Sequence, residues 1–286
     1  MKFVAQGLVF VVLLGLAAPP LAAAATFTVT KTADTADGVC DADCSLREAV
    51  IAANANDDAD EIVLGAGIFA LTVVGDDATA QAGDLDISAS VTIRGAGAAQ
   101  TTVDGAGVDR VFHLYNQFPT GRTVTIRDMT IRGGDARDRP AAVTGMGGGV
   151  LNDGLEATLE DCVIEENIAS SGGGVANFGI PADLTLRRSV IRNNDAGSGG
   201  GVLSGYQSRL VVEDATISGN SATSGGGGGL QFSTFAQATI SGSTISDNGA
   251  AGDGGGVQAQ DAAVSVANST IPGNAAGGPS GRGGGA

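Results

Sequence analysis

A skeleton of apolar, any, apolar, any two, small, any, Ile, any two, Asn is written five times in the second half of this chain. The copies end in residues 164–167, 191–194, 217–220, 245–248 and 271–274, and their asparagines lie 27, 26, 28 and 26 positions apart. Each Asn is followed, after a short link, by a run of glycines. A fixed period of this length means one structural unit stacked on itself. Alternation with period two means extended strand with one face inward.

The copies align by position. The first apolar site holds Val124, Ala157, Leu184, Leu210, Ala238 and Val264; the second holds Ile126, Leu159, Leu186, Val212, Ile240 and Val266. The small site opens with Met129 and continues as Cys162, Ser189, Ala215, Ser243 and Ser269. Spacing of three between the second and third sites calls for a bend, and a third short strand follows the glycines. Three strands and three bends per coil describe an all-β parallel β-helix of about 27 residues per coil, right-handed by the usual hand of parallel crossovers. Seven or eight coils would span roughly 35–40 Å at ~4.8 Å per coil.

Composition agrees. The 286 residues include 47 glycines and no Trp. That is about one Gly in six against a usual ~7%, with no three-residue period. Gly and Asn suit tight corners, because both tolerate the left-handed region. Asn can also bond to its counterpart one coil away. Asn167, Asn194, Asn220, Asn248 and Asn274 are therefore expected to form a ladder. Cys162, at a small inward site, is expected to be a buried free thiol.

The net charge of −16 argues against nucleic acid as a partner, which needs a basic surface. Residues 1–25 read as a secretory leader: Lys2, an apolar run, Pro19 and Pro20, then small residues before a cleavage point within 23–26. No later segment reaches the length of a membrane span. The reading places the mature chain outside the cytoplasm, secreted or on the cell surface. There Cys40 and Cys44 can pair within one small loop.

Residues 26–60 form a head, 61–122 hold loosely spaced strands, and 123–286 carry the strict repeat, which reads as truncated before any anchor module. In the head, Ser45 and Glu48 have the spacing of a capping box. Leu46, Ala49, Val50 and Ala53 give one apolar stripe, so a helix near 45–55 is expected to cap the first coil. The string Cys44 to Ala49, CSLREA, with VIAAN after it, resembles the CSLREA domain of bacterial secreted proteins. The Asn and Gly-rich repeats resemble those of polymorphic outer-membrane proteins. The resemblance spans residues 28–286. It implies a right-handed parallel β-helix on an exported, surface-associated or secreted protein, and it transfers no catalytic residues.

Two kinds of chemistry are weighed. Asp34, Asp37, Asp41 and Asp43 offer the hard oxygen ligands that Ca²⁺ prefers, but they lack an established calcium-loop pattern and read as a solvated loop. No cofactor is otherwise implied. Glycoside hydrolysis needs two placed carboxylates. Asp57 with Asp58, and Asp76 with Asp77, fall in loops. Asp84 and Asp86 have the spacing to share a strand face, but no acidic pair sits in the repeated strands beside His and Arg partners. His113, the one histidine, reads as an ordinary strand residue, and Asn268-Ser-Thr reads as repeat rather than sequon. The leading expectation is a non-catalytic, adhesin-like scaffold binding an extracellular glycan or protein. The alternative is a carbohydrate-active enzyme, a polysaccharide lyase or glycoside hydrolase, on the same fold.

Overall fold

Four parallel sheets wrap a narrow apolar core in the computed structural model, which describes residues 24–56, 58–116, 121–137 and 145–278. Every coil pairs with the next in register, so residues at matching repeat positions become neighbours. Val91, Val124, Ala157, Leu184, Leu210, Ala238 and Val264 form one such line. The first sheet has nine strands, from Thr26–Thr28 and Asp60–Val63 through Val91–Arg94 and Thr123–Arg127 to Ala263–Ala267. The second runs from Gly67–Ala70 and Thr101–Asp104 to Thr244–Ser246. The third includes Leu85–Ile87, Phe112–Tyr115, Val150–Asp153, Val175–Phe178, Val202–Ser204, Leu230–Phe232 and Val257–Ala259.

The fourth sheet departs from the three-strand reading. Ile168–Ser171, Asp195–Ser198, Ser221–Ala222, Gly249–Ala250 and Ala275–Ala276 occupy what the sequence presents as a variable link. One alanine per coil turns inward there: Ala169, Ala196, Ala222 and Ala250 are all buried. The loosely spaced zone also belongs to the same solenoid, since Val91–Arg94 pairs with both Asp60–Val63 and Thr123–Arg127.

The corner between the second and fourth sheets holds the asparagines. Each side-chain N–H donates to the next Asn's carbonyl oxygen at 2.9–3.0 Å, linking 167 to 194, 194 to 220, 220 to 248 and 248 to 274. The same oxygen accepts a backbone N–H, and the second amide proton reaches the carbonyl of an Ile in the preceding coil. In the copy where Gly134 stands in place of Asn, its backbone N–H donates to Asn167 and ends the row. Glycines allow this packing. A Cβ on Gly174 or Gly201 would lie 2.9 or 3.0 Å from the Nδ2 of Asn194 or Asn220, so close approach, not positive φ, requires Gly there. A shorter row, Asn152 to Asn177 to Ser204, lines the inside of the third sheet.

The helix Leu46–Asn54 packs on the strands Asp60–Val63 and Leu85–Ile87. Ser45 caps it, accepting from the Glu48 N–H, while the Glu48 carboxylate accepts from the Ser45 N–H. Leu46, Ala49, Val50 and Ala53 are buried, and so is Arg47. Cys40 and Cys44 form a disulfide just before the cap. Residues 1–23 and 279–286, on which the leader and the repeat's end were read, lie outside the described residues. Among the described residues no helix is long and apolar enough to cross a membrane.

Candidate functional site

The outward face of the third sheet carries the densest unshared chemistry. Along Leu85–Ile87 and Phe112–Tyr115 the alternation turns Leu85, Ile87, Phe112 and Leu114 into the core and puts Asp86, His113 and Tyr115 on the opposite face, where Asp86 is still buried and His113 and Tyr115 are partly exposed. Register then places Asp86 directly beside His113. Their contact is a 3.0 Å bond between the carboxylate and Nδ1. A carboxylate only accepts, so Nδ1 is the donor in this bond, and in the neutral imidazole the acceptor position is then Nε2. That Nε2 is enclosed and has no hydrogen-bond partner among the described residues.

The surroundings are polar and largely buried. Arg110 pairs with Asp84 at 3.2 Å and lies 3.9 Å from Asp109. The Tyr115 ring stacks on His113 with centroids 5.1 Å apart, and its hydroxyl donates to the Ala78 carbonyl. Burial, then the charges of Asp86 and Asp77, push the Tyr115 hydroxyl pKa up. Asp153 follows Tyr115 in register on the next coil. Burial pushes its carboxyl up as well, against the opposing charges of His113 and Arg110. The sequence reading looked for such a pair in the repeated strands; the structure brings Asp84 and Asp86 beside Arg110 and His113 in the earlier, loosely spaced coils. The partners are 27 residues apart along the chain and one coil apart in space. His113 lies in a strand as expected, and it is in addition bonded to a buried carboxylate.

The ligand atoms of Asp84, Asp86 and His113 lie within 4.8 Å of one another and could together hold a divalent ion. Asp84, however, already faces a guanidinium and Asp86 already binds an imidazole. Arg110 adds positive charge where a cation would sit, so the arrangement fits proton transfer better than metal ligation.

The head aspartates do separate jobs. Asp34 grips Arg47 at 2.7 and 3.1 Å and accepts from the backbone of Thr72 and Val73. Asp37 and Asp41 accept from Val39 and Asp43, and Asp43 pairs with Lys31. Arg47 is a residue the sequence reading missed. Its guanidinium also donates to the carbonyls of Ala80, Gly83 and Asp84, tying the cap to the strand that carries Asp86. Burial alone would raise the Glu48 carboxyl. Bonds from Thr35, Ser45 and Asp37 and the Lys31 charge outweigh it and bring the pKa down to about 2. Cys162 is buried and free, and burial pushes its thiol up to about 12, too high for a nucleophile.

Two solved structures match the chain at low similarity. The A-module of mannuronan C-5 epimerase AlgE6 from Azotobacter vinelandii is 17% identical with a TM-score of 0.43, over 85% of this chain and 75% of that one. The A-module of AlgE4 from the same organism is 15% identical with a TM-score of 0.27, over 88% and 96%. No curated protein matches the sequence. The family described as "Right handed beta helix region" matches residues 116–285, more than half of the chain, and the protein belongs to that family.

Proposed function

We propose that this chain is a carbohydrate-active β-helix that hydrolyses glycosidic bonds outside the cytoplasm. The observation that carries the reading is the Asp86–His113 pair with its unbonded, enclosed Nε2. Asp86 fixes the ring and stabilises the imidazolium that forms when His113 takes a proton. Because Nε2 is enclosed, the step requires the groups over it to move aside as substrate binds; His113 then takes the proton of a water whose oxygen attacks the anomeric carbon. Asp153, held towards its protonated form by burial, gives its proton to the departing glycosidic oxygen. His113 and Asp153 are diagonal neighbours, one coil and two residues apart. At ~4.8 Å across and ~6.6 Å along the strand, their backbone positions lie about 8 Å apart. The straight lateral face of the coils suits an extended polymer. The Cys40–Cys44 disulfide supports an oxidising compartment.

The test is release of reducing ends from a panel of polysaccharides. His113→Gln and Asp153→Asn should each lower turnover on the order of 10²–10⁴-fold with an unchanged melt. Native protein without turnover, or variants as active as native, would reject the reading. A non-catalytic, adhesin-like scaffold is the second reading. It is favoured by the outer faces of the later coils, where charges pair between coils: Arg187 with Glu213, Arg188 with Asp161 and Arg192 with Glu165. Glycan or cell binding without turnover would support it.

A further inference from the structure

We infer that an aromatic row running along the solenoid from the candidate site is a binding track for a neutral, extended polysaccharide. The inference rests on the glycan reading above, but not on its catalytic residues. Register carries the row outward from the site. Tyr115 pairs with Asp153, and Asp153 with Phe178. Phe178 then stacks on Tyr206 of the next coil, with centroids 5.2 Å apart and planes at 25°. Phe235 occupies the same corner one coil further on, where the Gln207 N–H donates to the Thr234 carbonyl. From Tyr115 to Phe235 is four coil steps, about 19 Å, a length that holds several sugar units.

Three observations point to a ligand. Tyr206 and Phe235 are 49% and 68% exposed, although aromatic side chains of this size are normally driven inward. Both have left-handed backbones, at φ 59° and 64°, where a bulky residue is an outlier. The core does not explain either one. Beyond Asp153 the row is uncharged: residues 176–182, 204–208 and 232–237 contain no Asp, Glu, Lys or Arg, and Asp183 and Arg209 border it, in a chain of net charge −16. An apolar face without charge fits the C–H face of a neutral pyranose and offers nothing to a polyanion or polycation. Shallow depressions flank both ends. One of about 100 Å³ lies against Asn116, Gly154 and Pro181, and Arg122, Glu156 and Asp183 line it as well. Another of about 260 Å³ lies against Arg209, Gln237 and Thr239. These place hydroxyl-binding groups beside the stacking faces.

The experiment is affinity gel electrophoresis of the full chain in glucomannan, mixed-linkage β-glucan, polygalacturonate and chitosan. Native protein should be retarded by at least one of the two neutral polymers and not by the charged ones. The double variant Tyr206→Asn, Phe235→Asn keeps a residue type that tolerates left-handed φ and should bind at least ten-fold more weakly with an unchanged melt. Phe235→Tyr should restore binding. Failure of both neutral polymers to retard the native chain, equal retardation by a charged one, or a double variant that binds like native would overturn the proposal. So would a native dimer in sedimentation equilibrium that the double variant abolishes, since the row would then be a self-association face. Row-dependent binding without reducing-end release sinks the catalytic reading alone; release that ignores the double variant sinks the track alone.

Discussion

Replacing Asn220 with Leu is the sharpest test of what holds the coils together. Asn220 is 1% exposed, so no water stands ready to replace what is lost. Its amide donates to the Ile191 carbonyl at 3.0 Å and to Asn248 at 2.9 Å, and its oxygen accepts from the backbone and side chain of Asn194 at 3.0 Å each. Four bonds at a net ~1 kcal/mol each give about 4 kcal/mol, and the orphaned Asn194 N–H adds roughly 1–3 kcal/mol. The extra buried methyl surface of Leu offsets about 1 kcal/mol. The expected loss is therefore about 4–6 kcal/mol, or a melting point lower by roughly 10 °C. Urea unfolding followed by far-UV circular dichroism measures it. The control is Asn274→Leu. Asn274 is only half-buried, so water can serve its partners and the loss should stay near ~1 kcal/mol. A loss below ~1 kcal/mol at Asn220, or equal losses at both positions, would refute the argument that the row is held by buried amide bonds.

Three further outcomes follow from the cap and the site. Arg47→Met strands a buried Asp34 carboxylate and should destabilise the chain by about 3–5 kcal/mol; adding Asp34→Asn should recover part of that loss in the same melt, and a double variant no better than the single would count against the pair. Glu48 has its folded pKa depressed from 4.5 to about 2. Its stabilising contribution is thus complete above pH ~4.5 and lost as pH falls towards 2. Acid titration of stability should therefore be flatter in Glu48→Gln across that window; identical slopes would remove Glu48 as the source. At the site, Asp86→Asn leaves the ring in place but no longer stabilises an imidazolium, so a reducing-end assay should show its pH profile shifted as well as its rate reduced, and an unchanged profile would separate Asp86 from the chemistry.

What the sequence revealed and what it hid follow from how each feature is encoded. The inward Val, Leu and Ile sites and the asparagines repeat at one period, so self-comparison finds them. The fourth sheet does not show, because its strands bury a single Ala each and carry no apolar alternation. The Asp86–His113 pair falls where coil length is irregular, between residues 61 and 122. Without a register there is no way to see that positions 27 apart are neighbours. Arg47 was hidden by its own type. An Arg on a short amphipathic helix reads as solvent-facing, and only Asp34 and three carbonyls converging from other segments make it a core residue. The aromatic row was hidden because Phe178, Tyr206 and Phe235 sit at slightly different offsets in their copies.

The asparagine row treats every coil alike, since each amide gives to the coil after it and receives from the coil before. Nothing in that pattern counts how many coils there are. The spacing between successive asparagines varies from 26 to 28 residues while the bonds stay at 2.9–3.0 Å, so the slack is taken up elsewhere on the perimeter. Gain or loss of a whole coil would leave the corner chemistry intact, whereas a change of part of a coil must be absorbed by a loop or breaks the row. Length is thus a quantity this architecture can change in steps of one coil, and with it the reach of whatever lies along its side.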